Sequence, residues 1–272
     1  MRTGFAGARS QGGTLMEHNT FFRRAAALVL TLVFAAAAAL QGLAVYPMPI
    51  QTATETEAVY LFNADTGKTL LTQNADQPRY VASLTKMMTA LLLLESGKDL
   101  NGEVTVPTDL TQEFKDIQNA NGTTMGLRIG ETVRRIDLLN ALLITSANDA
   151  ASVIAWDVGG SLNAFIQQMN ARAAELGCTS ATFTCAHGLY DYGNVASAED
   201  MAKIAAACAA NETFAQVAGS TTYTLGQTNF HSEQRTISSS NPLMDASGAY
   251  YKDSVKWVKG GFTTLAGRCA VA

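Results

Sequence analysis

From Ala58 onward the chain is ordered by its hydrophobic and polar positions. "AVYLFNADTGKTLLTQN" reads as two short apolar runs around an Asp-x-Gly turn, which predicts a β-hairpin. "NADQPRY" is a loop, and the apolar run that opens at Ser83 predicts a buried helix to about Ser96. The pattern then loosens, with short strands expected at "VTV" (104–106) and "MGLRIG" (125–130). Helical spacing returns over Ile136–Ile144, breaks at "TSAND", and resumes over Ala150–Val158 and Leu162–Leu176, the last ending at Gly177. Residues 179–197 read as loop and short strand, and Glu199–Ala210 as a helix of small residues. "TTYTLG", "QRTISS", "SVKWVKGG" and "TTLAGRCAVA" read as strands. A strand pair, a block of helices and further strands predict an α+β fold. Its N- and C-terminal strands would share one antiparallel sheet, with the helices packed against it.

The first 44 residues stand apart. Arg23 and Arg24 precede "AAALVLTLVFAAAAALQGLA", and Gly42 and Ala44 occupy the −3 and −1 positions of a cleavage site. That is the layout of a secretory signal peptide over residues 1–44, with Met16 an alternative start and residues 45–272 the folded domain. The other reading is a retained membrane helix, since a run of roughly 20 apolar residues can span a bilayer. Without this segment the chain loses four arginines (Arg2, Arg9, Arg23, Arg24) and Glu17. The 19 basic and 23 acidic residues become 15 and 22, a net charge of −7 that argues against a nucleic-acid partner. Export would permit disulfides, and a strand-turn over "TSATFT" could bring Cys178 and Cys185 together. Cys208, in "IAAACAA", reads as a small core residue. No cysteine pair has metal-ligand spacing, and His18, His187 and His231 do not supply a zinc site.

Candidate chemistry begins with Ser83 and Lys86. Side chains three apart share a helix face, so the amine would lie beside the hydroxyl. A lysine sheltered there is a base with a depressed pKa; otherwise it is a surface charge and Ser83 a helix N-cap. Ser146–Asn148, "SAN", falls at a helix-to-helix break, where a capping turn would also suit it. Lys259–Gly261, "KGG", closes a predicted strand, where a glycine bulge is the plain reading.

Taken together, Ser-x-x-Lys, Ser-x-Asn and Lys-x-Gly in this order resemble the motif set of the penicillin-recognising serine acyl-transferases. "AVYLFNADTGKTLL", "ASLTKMMTALL", "LRIGETV", "LLITSANDAA", "AHGLY", "SAEDMAKIA" and "GGFTTLAGRC" extend the likeness from about Ala58 to the end. They resemble the low-molecular-weight penicillin-binding proteins that are serine-type D-Ala-D-Ala carboxypeptidases, the peptidase S11 family. The resemblance implies a β-lactamase/transpeptidase-like fold and removal of the terminal D-alanine from peptidoglycan stem peptides. β-Lactams would be covalent inhibitors, the protein would be exported to the cell wall or periplasm, and no cofactor is implied. By the same resemblance Ser83 is the nucleophile, Lys86 its base and Ser146 a proton relay. Asn148 would hold the acyl donor's amide and Lys259 the substrate carboxylate. The oxyanion hole would be the N–H groups of Ser83 and Phe262, with Gly260 and Gly261 lining the strand between. His187, in "HGL", belongs to a structural loop with no chemical role.

Two departures qualify the likeness. Gly260 stands where the family has threonine, whose hydroxyl donates to the substrate carboxylate. Family members also continue past the point matching Ala272, often to a further β domain and a C-terminal amphipathic anchor. The expectation is a fragment of a longer product, whose membrane association would come through that anchor. The competing enzyme reading, a class A β-lactamase, adds a Glu-x-x-x-Asn element. No Glu or Asp precedes Asn by four residues between Asn148 and Lys259. A non-catalytic or weakly active wall-binding protein is the reading from another class, and Gly260 favours it.

Overall fold

In the computed structural model, which describes residues 56–189 and 193–272, the chain first forms the predicted hairpin. β1 (Val59–Phe62) runs antiparallel to β2 (Thr69–Gln73), with Val59 opposite Gln73. Asn63 Oδ1 accepts the Thr66 N–H at 2.9 Å, and Gly67 takes the positive φ the turn needs. The chain divides into Met1–Gln51 and Thr52–Ala272. The predicted signal peptide, residues 1–44, lies outside the described residues.

β3 (Arg79–Tyr80) leads into a 3₁₀ turn, Ala82–Leu84, and then α1 (Thr85–Glu95). α1 is buried on nearly every side because it is the central helix: Met87, Met88, Ala90 and Leu93 are fully buried, and so are the polar Thr85, Lys86 and Thr89. β4 (Glu103–Thr105) pairs with β5 (Thr132–Arg134). The strand expected at 125–130 is not formed. The N–H groups of Met125, Gly126 and Leu127 donate to the Asp149 carboxylate, each at 3.0 Å, so a side chain takes the bonds a neighbouring strand would have. Between β4 and β5 lies α2 (Thr111–Asn119), which the apolar pattern did not predict; Ile117 is its one fully buried residue.

The helix predicted over Ile136–Ile144 is α3 (Arg135–Asn140) continued by one π-turn, Ala141–Thr145. It stops at Ser146, which adopts φ +61°. α4 (Asn148–Gly159) and α5 (Leu162–Glu175) follow, α5 capped by Ser161 Oγ accepting the Ala164 N–H and closed at Gly177, φ +74°. β6 (Val195–Ala196) pairs with β3, and α6 (Ala198–Ala209) is capped by Ser197. α7 (Glu212–Ala218) was not predicted; it is a short helix capped by Asn211, whose Phe214 meets Trp257 edge-on at 5.4 Å.

β7 (Thr222–Leu225) and β8 (Arg235–Ser238) form a hairpin, as do β9 (Lys259–Thr263) and β10 (Gly267–Val271). The strand predicted from Ser254 therefore begins only at Lys259, because Trp257 and Val258 are buried by side-chain packing and not by a ladder. The last predicted strand is shortened by a turn over 264–266. The α+β class holds, but the N- and C-terminal strands do not share one sheet. Among the described residues there are five separate antiparallel pairs. A groove of about 850 Å³, lined by Val59, Leu61, Met201, Arg268 and Val271, separates β1 from β10.

The four cysteines are free thiols, so the bridge considered for Cys178 and Cys185 is absent. Each has its own neighbour: Cys178 Sγ lies 3.6 Å from the Asp200 carbonyl, and Cys185 Sγ accepts the Gly188 N–H at 3.2 Å. Cys208 is buried, as expected. Among the described residues no helix is long and apolar enough to cross a membrane.

Candidate active site

Ser83 sits in the 3₁₀ turn that precedes α1, directly after Ala82, a non-glycine residue at φ +48°. A left-handed alanine costs energy, which the packing around the turn must supply. Ser83 does not cap α1; its hydroxyl lies 3.0 Å from Lys86 Nζ, one helical turn on. Lys86 is fully buried, and its amine also donates to Asn148 Oδ1 and to the His187 carbonyl, both at 2.8 Å. Burial, and next the charge of Lys259, hold its pKa well below the ordinary lysine value; Cys185 and Asp149 oppose weakly. A neutral amine has two N–H groups and one lone pair. Asn148 Oδ1 and the His187 carbonyl only accept, so they take the two N–H groups. In that neutral form the lone pair would be left for the Ser83 hydroxyl.

Asn148 opens α4 and is held at both ends: Oδ1 by Lys86, and Nδ2 by the Thr123 carbonyl at 2.9 Å, which its backbone N–H also meets at 2.8 Å. Ser146, set by the end of the π-turn, accepts at 3.0 Å from Lys259 Nζ, which also donates to the Gly260 carbonyl. Lys259 is buried, and burial pulls its pKa down to about 8.

β9 brings Lys259 in from the other side. A Cβ at Gly261 would lie 2.9 Å from Ser83 N and 3.2 Å from Ala82 Cβ, so only glycine lets the strand approach the turn this closely. A Cβ at Gly260 would have open space, with nothing nearer than the Cys269 carbonyl at 3.9 Å. The Phe262 ring is exposed, under the Arg268 guanidinium at 5.8 Å. Ser83, Ser146, Asn148 and Phe262 line one pocket of about 430 Å³, with Asn121–Thr123, Gly188 and Leu189 among its other walls. Lys86 and Lys259 lie beneath this lining.

Five sequence-predicted side chains, Ser83, Lys86, Ser146, Asn148 and Lys259, thus meet from three distant segments. The sequence reading missed two acceptors, the His187 and Thr123 carbonyls. Both are main-chain oxygens, which no side-chain pattern reports. The "HGL" segment did carry a signal, Gly188. It adopts φ +73°, and a Cβ there would strike the Ala82 carbonyl, so this loop packs directly on the turn that carries Ser83.

The α+β fold brings the Ser83–Lys86 pair opposite a second serine and a second lysine, Ser146 and Lys259. Residues 47–272 match the D-alanyl-D-alanine carboxypeptidase family, peptidase S11, and the chain belongs to that family. It is 32% identical over 151 residues to D-alanyl-D-alanine carboxypeptidase DacF of Bacillus subtilis (strain 168), covering 56% of this chain and 38% of that one. It is 33% identical over 212 residues to the D-alanyl-D-alanine carboxypeptidase of Streptomyces sp. (strain K15), covering 74% and 71%. The crystal structure of the Streptomyces K15 DD-transpeptidase superposes with a TM-score of 0.69 at 29% identity, over 78% of this chain and 82% of that one. The D-alanyl-D-alanine carboxypeptidase of Mycobacterium tuberculosis H37Rv gives 0.67 at 27%, over 78% and 74%. The chain spans 38% of the length of DacF, and 64% of that of a D-alanyl-D-alanine endopeptidase of Escherichia coli (strain K12).

Proposed function

We propose that this chain carries a serine-type D-Ala-D-Ala carboxypeptidase that removes the terminal D-alanine of peptidoglycan stem peptides through an acyl-enzyme on Ser83. The supporting observation is the buried Lys86 amine, 3.0 Å from Ser83 Oγ and 2.8 Å from each of two carbonyl oxygens, Asn148 Oδ1 and the His187 main-chain oxygen. The lone pair takes the hydroxyl proton as Oγ attacks the carbonyl carbon of the penultimate residue. The N–H groups of Ser83 and Phe262 receive the developing oxyanion, and Lys259 attracts the terminal carboxylate. A proton passes through Ser146 to the leaving amine, and D-alanine departs. Water then attacks the ester, giving up its proton to Lys86, and frees Ser83. β-Lactams would acylate the same oxygen. Action on stem peptides places the protein outside the cytoplasm, in keeping with export through residues 1–44.

Labelling by penicillin tests this reading. The full chain is expected to gain one covalent adduct. Ser83→Ala should gain none, and Lys86→Ala should stay folded yet fail to label at neutral pH. Labelling that persists in the alanine variant at 83 would sink the assignment.

A further inference from the structure

Lys86 is held by two carbonyl oxygens that belong to segments far apart in sequence, Asn148 on α4 and His187 on the loop after α5. One side chain joins those segments. Glu113, in the first turn of α2, uses a single oxygen, Oε1, as acceptor for both: His187 Nε2 at 2.8 Å and Ser152 Oγ at 3.0 Å. Ser152 lies one turn after Asn148 on α4, fully buried, and also reaches the Asn148 carbonyl at 3.3 Å. The His187 ring is buried, and its Nδ1 accepts the Leu189 N–H at 3.0 Å. That fixes the tautomer: in the neutral ring the proton sits on Nε2 and is donated to Glu113.

We propose that Glu113 is a positioning residue for acylation, clamping the His187 loop to α4 so that their two carbonyl oxygens hold the Lys86 amine against Ser83. Glu113 touches neither Ser83 nor Lys86 in the hydrogen-bond network described; it acts through His187 and Ser152. What matters is the shared acceptor oxygen. The charged and titratable groups facing His187 are Cys185, Glu113 and Lys86. Those facing Lys86 are Lys259, Cys185, Asp149 and, by the same pair interaction, His187, whose charged form Glu113 favours. Glu113→Gln removes the Glu113 charge as Glu113→Ala does and so controls for that effect. Glu113 is absent from the second set, so loss of its charge has little direct pull on the amine. Any such pull would favour the neutral amine, whereas loosening the clamp admits water and favours the charged one.

This inference rests on the Ser83–Lys86 reading, and two readouts on the full chain separate their failures. The first is the Lys86 titration, followed by NMR of ¹³C-labelled lysine and assigned by its loss in Lys86→Ala. The second is the penicillin acylation rate. Glu113→Ala is expected to move the Lys86 titration upward, toward the ordinary lysine value. It should also slow acylation by about 10- to 100-fold, the scale of a misplaced reacting group. Glu113→Gln keeps an acceptor oxygen in place and is expected to restore both readouts to within about threefold of the parent. Ser152→Ala, which frees one arm only, should fall between them. An unmoved titration in Glu113→Ala, or a Gln variant as damaged as the Ala variant, overturns the clamp. If the titration moves as expected in a protein that takes no penicillin at all, the clamp stands and the acyl-enzyme reading fails.

Discussion

At the scale of single residues, the proposed mechanism makes Gly260 a limit on rate. Threonine at this position would add a hydroxyl donor to a carboxylate, a charged hydrogen bond worth about 1.5–3 kcal/mol. On that mechanism its absence is expected to cost about one to two powers of ten in rate. The open space at the Gly260 Cβ means a side chain can enter without displacing backbone. Gly260→Thr is therefore expected to raise kcat/KM for a D-Ala-D-Ala peptide with little change in melting temperature. A threonine variant no faster than the parent would mean that another donor already serves the carboxylate. The two lysines govern pH. In the proposed mechanism Lys86 must be neutral to act, so activity is expected to rise as pH climbs through its depressed pKa. Lys259 must be charged to attract a carboxylate, so activity falls above about pH 8. Lys259→Gln removes a positive charge that lowers the Lys86 pKa, and should shift the rising limb to higher pH. A limb that stays put in the penicillin acylation profile would show that the lysines do not interact. Ser83, Lys86, Ser146, Asn148 and Lys259 were legible in the sequence because motif spacing is a side-chain property. The carbonyls of His187 and Thr123 were not, because a main-chain oxygen is the same for every residue and only the fold decides where it points.

At the scale of elements, β9 and the turn at Ser83 depend on each other. Gly261→Ala places a methyl against backbone at 2.9 Å, and neither partner is the loose end of a side chain. The strand must retreat, and the Phe262 N–H goes with it. Acylation is expected to fall by roughly 10- to 100-fold, with a smaller effect on stability, measured as the penicillin labelling rate beside a thermal melt. An unchanged rate would remove Phe262 from the oxyanion hole. The long amphipathic and buried helices, α1, α4, α5 and α6, could be read from apolar spacing. α2 was not: Phe114 and Ile117, three apart on one face, are its only apolar residues, and Ile117 alone is fully buried. The false strand at 125–130 has another cause. Its apolar residues do pack on the core, but Asp149 collects its amides, and a carboxylate 22 or more residues away leaves no mark on local pattern.

At the scale of the whole molecule, the order strands–helices–strands was sufficient for the α+β class, while the pairing of the terminal strands was not. Pattern shows which residues are extended, and it does not show which edges meet. Here the N- and C-terminal pairs face each other across a groove and keep separate ladders. Cysteine pairing was equally beyond the pattern. With four free thiols, no covalent crosslink restrains the described chain. The melting temperature is expected to be the same with and without a reducing agent. A fall of several degrees on reduction would reveal a bridge.

The buried position of Lys259 also makes ligand binding a proton-counting event. Near pH 8 its amine is about half protonated, and a carboxylate arriving beside it favours the charged form. A ligand with a free carboxylate should therefore draw up to about half a proton from solution as it binds, while its amidated counterpart draws none. With Ser83→Ala to prevent turnover, calorimetry in buffers of different ionisation enthalpy would read that uptake as a slope. The same peptide could thus bind with heat released in one buffer and absorbed in another, at identical affinity.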